Sequence, residues 1–250
     1  MSSWDIYKSR ASVRGNTKRE SALRRERYFL THNFKDSLSY HHVLIDGKPR
    51  DVSIINSDNL NEKKMLSCPG EDIKCGALVE WKNNFWIVVE RDANDEVYTR
   101  TKLLQCNYLL KWVDNENIIR EQWCVIEDGT KYLTGSYEDR NFIVTRGDSR
   151  ISMIIAKNEH TAKFGRENRF LIDDPDTDDK TAYSLTKPLK VGKVYQDMGI
   201  YSFVLQEVVS TQDDNFTLGI ADYYKHFPHE DGNNEGTQPN EPDKGKKVWL

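Results

Sequence analysis

From about residue 40 onward, apolar and polar residues alternate with a period of two, and this pattern constrains the fold more than any other feature. Such alternation is typical of β-strands, whose successive side chains point to opposite faces of a sheet. Turn residues separate the short strands, for example at Asp46-Gly47, Asn83-Asn84 and Asp128-Gly129. The pattern predicts a mainly β protein with one or two small β-barrel or sandwich domains.

The turn signals divide this region into three hairpins and several further strands. The expected hairpins pair residues 40–45 with 50–55, 78–82 with 85–90, and 189–196 with 199–209. Further strands are expected at 105–113, 120–127, 151–157 and 169–173, where β-branched and aromatic residues are frequent. Gly147 is the expected joint between a barrel-like domain at 36–150 and a second β domain at 151–227.

Residues 1–35 predict a basic helical arm. The capping-box sequence at residues 17–20, Thr-Lys-Arg-Glu, indicates where its main helix begins. Four apolar residues are spaced to share one face of this helix, with the arginines largely on another: Ala22, Leu23, Leu30 and Phe34. An earlier short helix is expected around residues 4–13, ahead of Gly15.

The charge of the chain is unevenly distributed. Residues 1–30 contain eight basic and three acidic side chains, a balance of +5, so the remaining 28 basic and 37 acidic residues give −9 and the whole chain −4. Such an arm can contact an acidic protein partner or nucleic acid, or can simply be a solvated helix face. The candidate docking residues in the arm are Arg19, Arg24, Arg25 and Arg27.

Residues 228–250 predict a flexible, disordered tail. The stretch 228–247 has three prolines, three glycines and no aliphatic residue, so it cannot bury enough apolar area to offset its ordering entropy. The tail ends in Val-Trp-Leu, which makes Trp249 a further candidate docking residue. No apolar run approaches the roughly 18 residues of a membrane span, and the first residues lack the apolar region of a signal peptide.

The residues that most often carry chemistry do not form a recognisable site in the sequence. The four cysteines lack the close pairs of a zinc site and are expected to be reduced, buried residues that act as small apolar side chains. His41 and His42 should point to opposite faces of one strand, and the acidic run 173–179 lacks the glycine and the glutamate of a calcium loop. We therefore expect no enzyme, no cofactor and no metal site, and we interpret the acidic run as an exposed turn.

The tryptophans are expected in the core and in subunit contacts. Trp81 and Trp86 flank one predicted hairpin loop, and Trp112 and Trp123 flank the next turn, as in stabilising cross-strand aromatic pairs. Acidic residues near them, such as Glu80, would repel phosphate, which disfavours a base-stacking platform.

Residues 76–90 contain a Gly-x-hydrophobic-Val-x-Trp strand, a polar turn and a second Trp-containing strand. Together with Tyr98–Arg100 and the stretch Cys-Asn-Tyr-Leu-Leu-Lys-Trp at 106–112, this resembles head-closure (stopper) and neck proteins of tailed phages or prophages of Gram-positive hosts. Stoppers are usually one small barrel, whereas this chain adds an arm, a second β segment and a tail.

The resemblance implies a structural virion protein of the head–tail connector, located in the neck and assembled in the host cytoplasm. It would form a ring of six or twelve copies between portal or adaptor and tail, with viral DNA passing through the channel without specific binding, and no membrane contact. The alternatives are a tail terminator or tail-tube component, and a nucleic-acid-binding module that uses the basic arm.

Overall fold

The computed structural model describes Ser3, Trp4, Tyr7 and residues 17–92, 96–128, 150–166, 168–173 and 180–228. The predicted mainly β fold is confirmed. The elements are α1 (Lys18–Asn33), β1 (Tyr40–Ile45), β2 (Lys48–Asn56), β3 (Glu62–Ser67), β4 (Leu78–Trp81), β5 (Asn84–Arg91), β6 (Arg100–Gln105), β7 (Tyr108–Val113), β8 (Ile119–Asp128), β9 (Arg150–Ala156), a 3₁₀ turn (Thr161–Lys163), β10 (Arg169–Ile172), β11 (Thr181–Leu189), β12 (Val194–Tyr195), β13 (Met198–Val208) and α2 (Tyr223–His226).

The first six strands close into an antiparallel barrel in the order β1-β2-β3-β6-β5-β4, with β4 pairing back to β1. Two of its hairpins lie in the predicted regions, and their turn residues adopt positive φ. The first turn is Asp46-Gly47, as predicted, whereas the second is Lys82-Asn83, one residue before the predicted Asn83-Asn84. The barrel interior is apolar and is filled mainly by Val43, Ile45, Val52, Ile54, Met65, Val79, Trp86, Val88 and Leu103.

The remaining strands form a second antiparallel sheet in the order β10-β11-β13-β9-β8-β7, with β12 added beside β13. This sheet curls into a second barrel-like body, since the Tyr108 hydroxyl on β7 donates to the carbonyl oxygen of Leu171 on β10 at 3.0 Å. Its interior is rich in aromatic rings, with Phe164 packed edge-on against Trp112 and Phe170 at centroid distances of 5.1 Å.

The two bodies share a packed joint. The outer face of β5 meets the face of β8, β9 and β13 that points away from the second interior, and the Phe85 and Trp123 rings stack there at 4.4 Å. Backbone also meets backbone, because the Gly199 amide donates to the Cys75 carbonyl oxygen at 2.9 Å. A Cβ on Gly76 would overlap the Gly199 carbonyl group, so glycine is required at this contact.

The change of sheet does not coincide with the expected division at residue 150. β7 and β8 were assigned to the first domain, yet β8 pairs with β9 in the second sheet, from Cys124 opposite Ile155 to Asp128 opposite Ile151. The chain leaves the barrel between Gln105 and Tyr108, so the strand expected at 105–113 begins too early. Gln105 is the last residue of β6 in the barrel, and β7 covers residues 108–113 in the second sheet. Gly147 lies outside the described residues.

The third predicted hairpin is displaced by one residue at its turn and wrong in its first strand. The turn at Gln196-Asp197, one residue before the predicted Asp197-Met198, joins β12 to β13, but β12 has only two residues. The long partner of β13 is instead β11, which the sequence prediction missed because Pro188 lies within it. β11 tolerates the proline next to a register shift between Leu185 and Lys187.

The segment after β13 is fastened to β10 by a buried ion pair. Arg169 donates from both terminal nitrogens to the Asp214 carboxylate, at 3.1 and 2.9 Å, and to Asp222 at 2.7 Å. Desolvation raises the pKa of Asp214, but amides of Thr211 and Asp222 and the Arg169 guanidinium outweigh it and leave the pKa below its ordinary value. The expected tail lies outside the described residues from residue 229 onward.

Candidate interaction surface

The helix α1 begins where the sequence predicts. The Thr17 hydroxyl oxygen accepts a hydrogen bond from the Glu20 amide at 3.1 Å, which satisfies one of the free amides at the helix start. The helix contains five basic and two acidic side chains, a balance of +3. Within the part of the chain that the structure describes, none of its 16 residues is buried.

One face of α1 lies towards the barrel. Leu23, Leu30 and Phe34 are half-buried there, spaced so that they share one side of the helix. Arg19 lies on the same side and pairs with the Glu96 carboxylate at 2.6 Å, and Arg27 donates to the Glu96 carbonyl oxygen. Because the Arg19 and Glu96 side chains are 75% and 46% exposed, their ion pair attaches α1 to the barrel only weakly.

The opposite face of α1 is exposed and combines aromatic rings with positive charge. Tyr28 and Phe29 are 65% and 62% exposed, and the Tyr28 ring lies 3.9 Å from the His32 ring, centroid to centroid. Arg24 and Arg25 occupy the preceding turn on the same side. We call these five residues the outer face of α1.

The structure therefore divides the arginines that the sequence grouped as docking residues. Arg19 and Arg27 contact the chain's own barrel, whereas Arg24 and Arg25 lie on the outer face with Tyr28 and Phe29. The expectation that the arginines largely avoid the apolar side is thus wrong for two of the four. The sequence reasoning missed the two exposed aromatic residues, although their spacing of four from the two outer arginines places them on one face.

Two further arm and tail predictions fall mainly outside the described residues. In the expected first helix only Trp4 and Tyr7 of residues 4–13 are described, and their rings stack at 5.4 Å. Trp249 and the acidic run after Asp173 lie outside the described residues, so their predicted roles stay predictions.

A groove of about 530 Å³ crosses the outer face of β3, β5 and β6. Four cations line it, but Lys102 pairs with Glu62 at 2.9 Å and Arg91 with Asp72 at 2.6 Å, while Glu90 and Asp92 also line it. Because carboxylates alternate with the cations, the groove lacks the uniformly positive potential that recognises a phosphate backbone.

The β7–β8 hairpin ends in an exposed, partly acidic tip formed by residues 114–121. Asp114 is buried and organises the turn, accepting from the amides of Glu116 and Ile118 and from Arg120 Nε at 2.8–2.9 Å. Desolvation alone would raise the pKa of Asp114, but Arg120 and the two amides lower it to about 2.

The tip exposes apolar and acidic side chains beside each other. Ile118 and Ile119 are 44% and 46% exposed. Glu116 is 62% exposed, and Glu159 is 84% exposed beside His160, whose ring lies 3.9 Å from Asp114. Arg120 pairs with Asp114 at 2.8 Å and also lies 3.9 Å from Glu116. Residues 114–121 contain three carboxylates and one arginine, so the tip, with Glu159 beside it, stays acidic.

The cysteines are free thiols, as predicted, and three of the four are buried. Burial raises the pKa of the Cys75 thiol, raises that of Cys106 to about 12, and raises that of Cys124 still further. Buried thiols of this kind act as small apolar residues and not as nucleophiles.

The histidine pair also lies as predicted. His41 packs on the Trp81 ring at 4.9 Å, whereas the exposed His42 contacts Asp51 at 2.9 Å. Among the described residues, no group of three or more His, Cys, Asp or Glu side chains is placed to hold a metal ion. In the same residues, no helix is long and apolar enough to cross a membrane.

Four tryptophans lie in or against the cores, but only one of their two expected pairs is formed; Trp4 is 59% exposed. Trp81 and Trp86 contact each other across the β4–β5 hairpin at 6.0 Å. Trp112 points into the second interior and Trp123 points into the joint, so they lie on opposite faces of the sheet and cannot pair.

Residues 16–105 match the family model of the YomX N-terminal domain. The matched segment contains α1 and all six barrel strands, and it ends at the last residue of β6. This is a phage-associated family of the Bacillus prophage type. The match supports a phage origin. No curated protein and no solved structure matches the chain.

Proposed function

We propose that the chain is a structural virion protein of the phage head–tail connector, or neck. It forms a homo-oligomeric ring around the DNA channel between portal or adaptor and tail, after assembly in the host cytoplasm. It works by assembly and not by catalysis. The phage-associated match of residues 16–105 and the two β-barrel bodies support this proposal.

The observation that carries the proposal is the arm. A helix of 16 residues is marginal in water on its own, and most helices in proteins are stabilised by burying an apolar face. The helix α1 has no buried residue in the described structure and presents Tyr28 and Phe29 outward. Tyrosine, phenylalanine and arginine are enriched in protein interfaces, so its outer face has the composition of a surface that binds protein.

The charge of the rest of the chain is consistent with a channel wall. Residues 31–250 carry a balance of −9, and phosphate affinity comes mainly from lysine and arginine. An acidic wall would allow DNA to slide without adhering. The packed joint between the two bodies would help the wall to keep its shape during passage.

The test is electron microscopy of the purified full chain, together with deletion of its gene from the phage that encodes it. We expect rings by negative stain, and lysates in which heads and tails are separate after deletion. Tails of altered length with normal necks would instead favour the tail terminator or tail-tube alternative. A monomeric protein and normal virions after deletion would contradict a structural role.

A nucleic-acid-binding module is the second candidate, because the outer face of α1 combines two arginines with two exposed aromatic rings. This function predicts tight DNA binding that weakens steeply with salt and disappears when residues 1–30 are removed. Gel-shift titrations at two salt concentrations, with the full chain and the truncated chain, distinguish it from the ring.

A further inference from the structure

We propose that the outer face of α1 binds the β7–β8 tip of a second copy of this chain. This inference rests on the proposed ring and identifies the two surfaces that would form its repeated contact. Both surfaces are exposed in the part of the chain that the structure describes, and among those residues neither surface covers the other.

The two surfaces have complementary charge. The outer face of α1 contributes Arg24 and Arg25 from a helix with a balance of +3. The tip contributes Glu116 and Glu159, both more than half exposed. Opposite charges at the rim of an interface steer association and fix its register.

Their apolar parts are complementary as well. Tyr28 and Phe29 supply two aromatic side chains that are almost two-thirds exposed, and Ile118 with Ile119 supplies an aliphatic counterpart that is just under half exposed. Burial of such groups at the centre of a charged rim is the usual anatomy of a specific interface. Val191, another exposed aliphatic residue, lies beside Lys190 and close to Lys193 and would not attract a basic helix.

A contact between two different surfaces of identical chains is heterologous, and heterologous contacts generate rings when the rotation closes. The helix is attached to the barrel, and the tip belongs to the second sheet. Each copy therefore offers its helix to one neighbour and its tip to the other. A neighbouring copy on α1 also explains why none of its residues is buried in the described part of a single chain.

The first experiment measures assembly of charge-reversed full-length chains by mass photometry. We expect R24E/R25E to weaken association at least tenfold, because its helix then repels the tip. A chain that combines R24E/R25E with E116R/E159R should recover the ring, because both partners are reversed. The matched control K48E/K187E reverses two exposed strand lysines and should leave the ring intact.

The second experiment does not depend on weakened assembly. The photoreactive residue p-benzoylphenylalanine replaces Phe29 in the full chain, and the crosslinked peptides are identified by mass spectrometry. We expect crosslinks between copies that contain residues 114–121. Crosslinks that map only to another surface overturn the docking inference, as does an unchanged ring in R24E/R25E.

These outcomes separate the inference from the proposed function. If the wild-type chain forms rings that tolerate R24E/R25E, the docking surfaces are wrong and the ring proposal stands. If the wild-type chain forms no ring alone or with portal and tail partners, both the ring proposal and the docking inference are overturned.

Discussion

The barrel has two neighbours in this chain, the second sheet and the arm, and it contacts them in opposite ways. The joint with the second sheet buries Ile87, Val89, Val125 and Ile200 and brings two glycine backbones together. The arm is attached through two arginines on one glutamate, with three half-buried apolar residues beneath. The difference indicates that the joint belongs to the permanent fold, whereas the arm is a surface prepared for a partner.

The largest expected effect comes from breaking the joint. Gly76→Ala places a Cβ against the Gly199 carbonyl group, so the backbone must separate and the free energy of unfolding should fall by about 3–5 kcal/mol. Gly70→Ala is the matched control, because Gly70 has a similar φ of +88° but open space around it. Gly70→Ala should lower the free energy of unfolding by only about 1–2 kcal/mol. Equal losses in denaturant titrations would show that the backbone contact is unimportant.

Breaking the buried ion pair between Arg169 and Asp214 should lower the free energy of unfolding by a similar or slightly smaller amount. Arg169→Met leaves the buried Asp214 carboxylate without its cation, which should lower the free energy of unfolding by about 3 kcal/mol or more. Lys225→Met removes an exposed cation from Asp222 and should cost less than about 1 kcal/mol. Urea titrations compare the two, and a small loss for Arg169→Met would contradict a fastening role.

The turn at the β7–β8 tip should make stability depend on acid. The folded pKa of Asp114 is about 2, below the ordinary value of 3.8, so its contribution is present above about pH 4. That contribution is lost as the pH falls towards 2. Asp114→Asn should therefore be less stable at neutral pH and should show a shallower acid dependence. If the free energy of unfolding fell equally steeply with pH in the wild type and in Asp114→Asn between pH 5 and 2, the prediction would be wrong.

The smallest effect on stability is expected at the attachment of the arm. Glu96→Ala removes the carboxylate that pairs with Arg19, and exposed ion pairs contribute about 1 kcal/mol or less. The unfolding midpoint should hardly move, while hydrogen exchange of the α1 amides should accelerate. Arg25→Ala is the control, since Arg25 lies on the other face, and it should leave exchange of the monomer unchanged.

This contrast between joint and arm also shows what the sequence could predict. The turn at Asp46-Gly47 and the start of α1 at Thr17 follow from local chemistry, which the sequence displays directly, while the second barrel turn lies one residue before the predicted Asn83-Asn84. The change of sheet at residue 106 depends on distant pairing. The stretch from Gln105 to Val113 alternates like one strand, and the Asn107 side chain bonds the backbone of Ile126 on β8 across the break.

The candidate surface could be predicted in composition but not in geometry. Basic residues indicated an arm that binds a partner, yet the sequence could not show that Glu96, far away along the chain, engages Arg19 and Arg27. Only that contact decides which face of α1 points outward. The sequence could not predict the tip either, because the exposure of Ile118 and Ile119 depends on how the second sheet curls.

The central claim is that the arm is an assembly surface. The most direct measurement is the mass of the full chain in solution, by mass photometry or native mass spectrometry, compared with a chain that lacks residues 1–34. The account predicts a closed oligomer for the full chain, and a folded monomer whose unfolding midpoint does not depend on protein concentration after truncation. Identical oligomers with and without the arm, or a monomer in both cases, would contradict it.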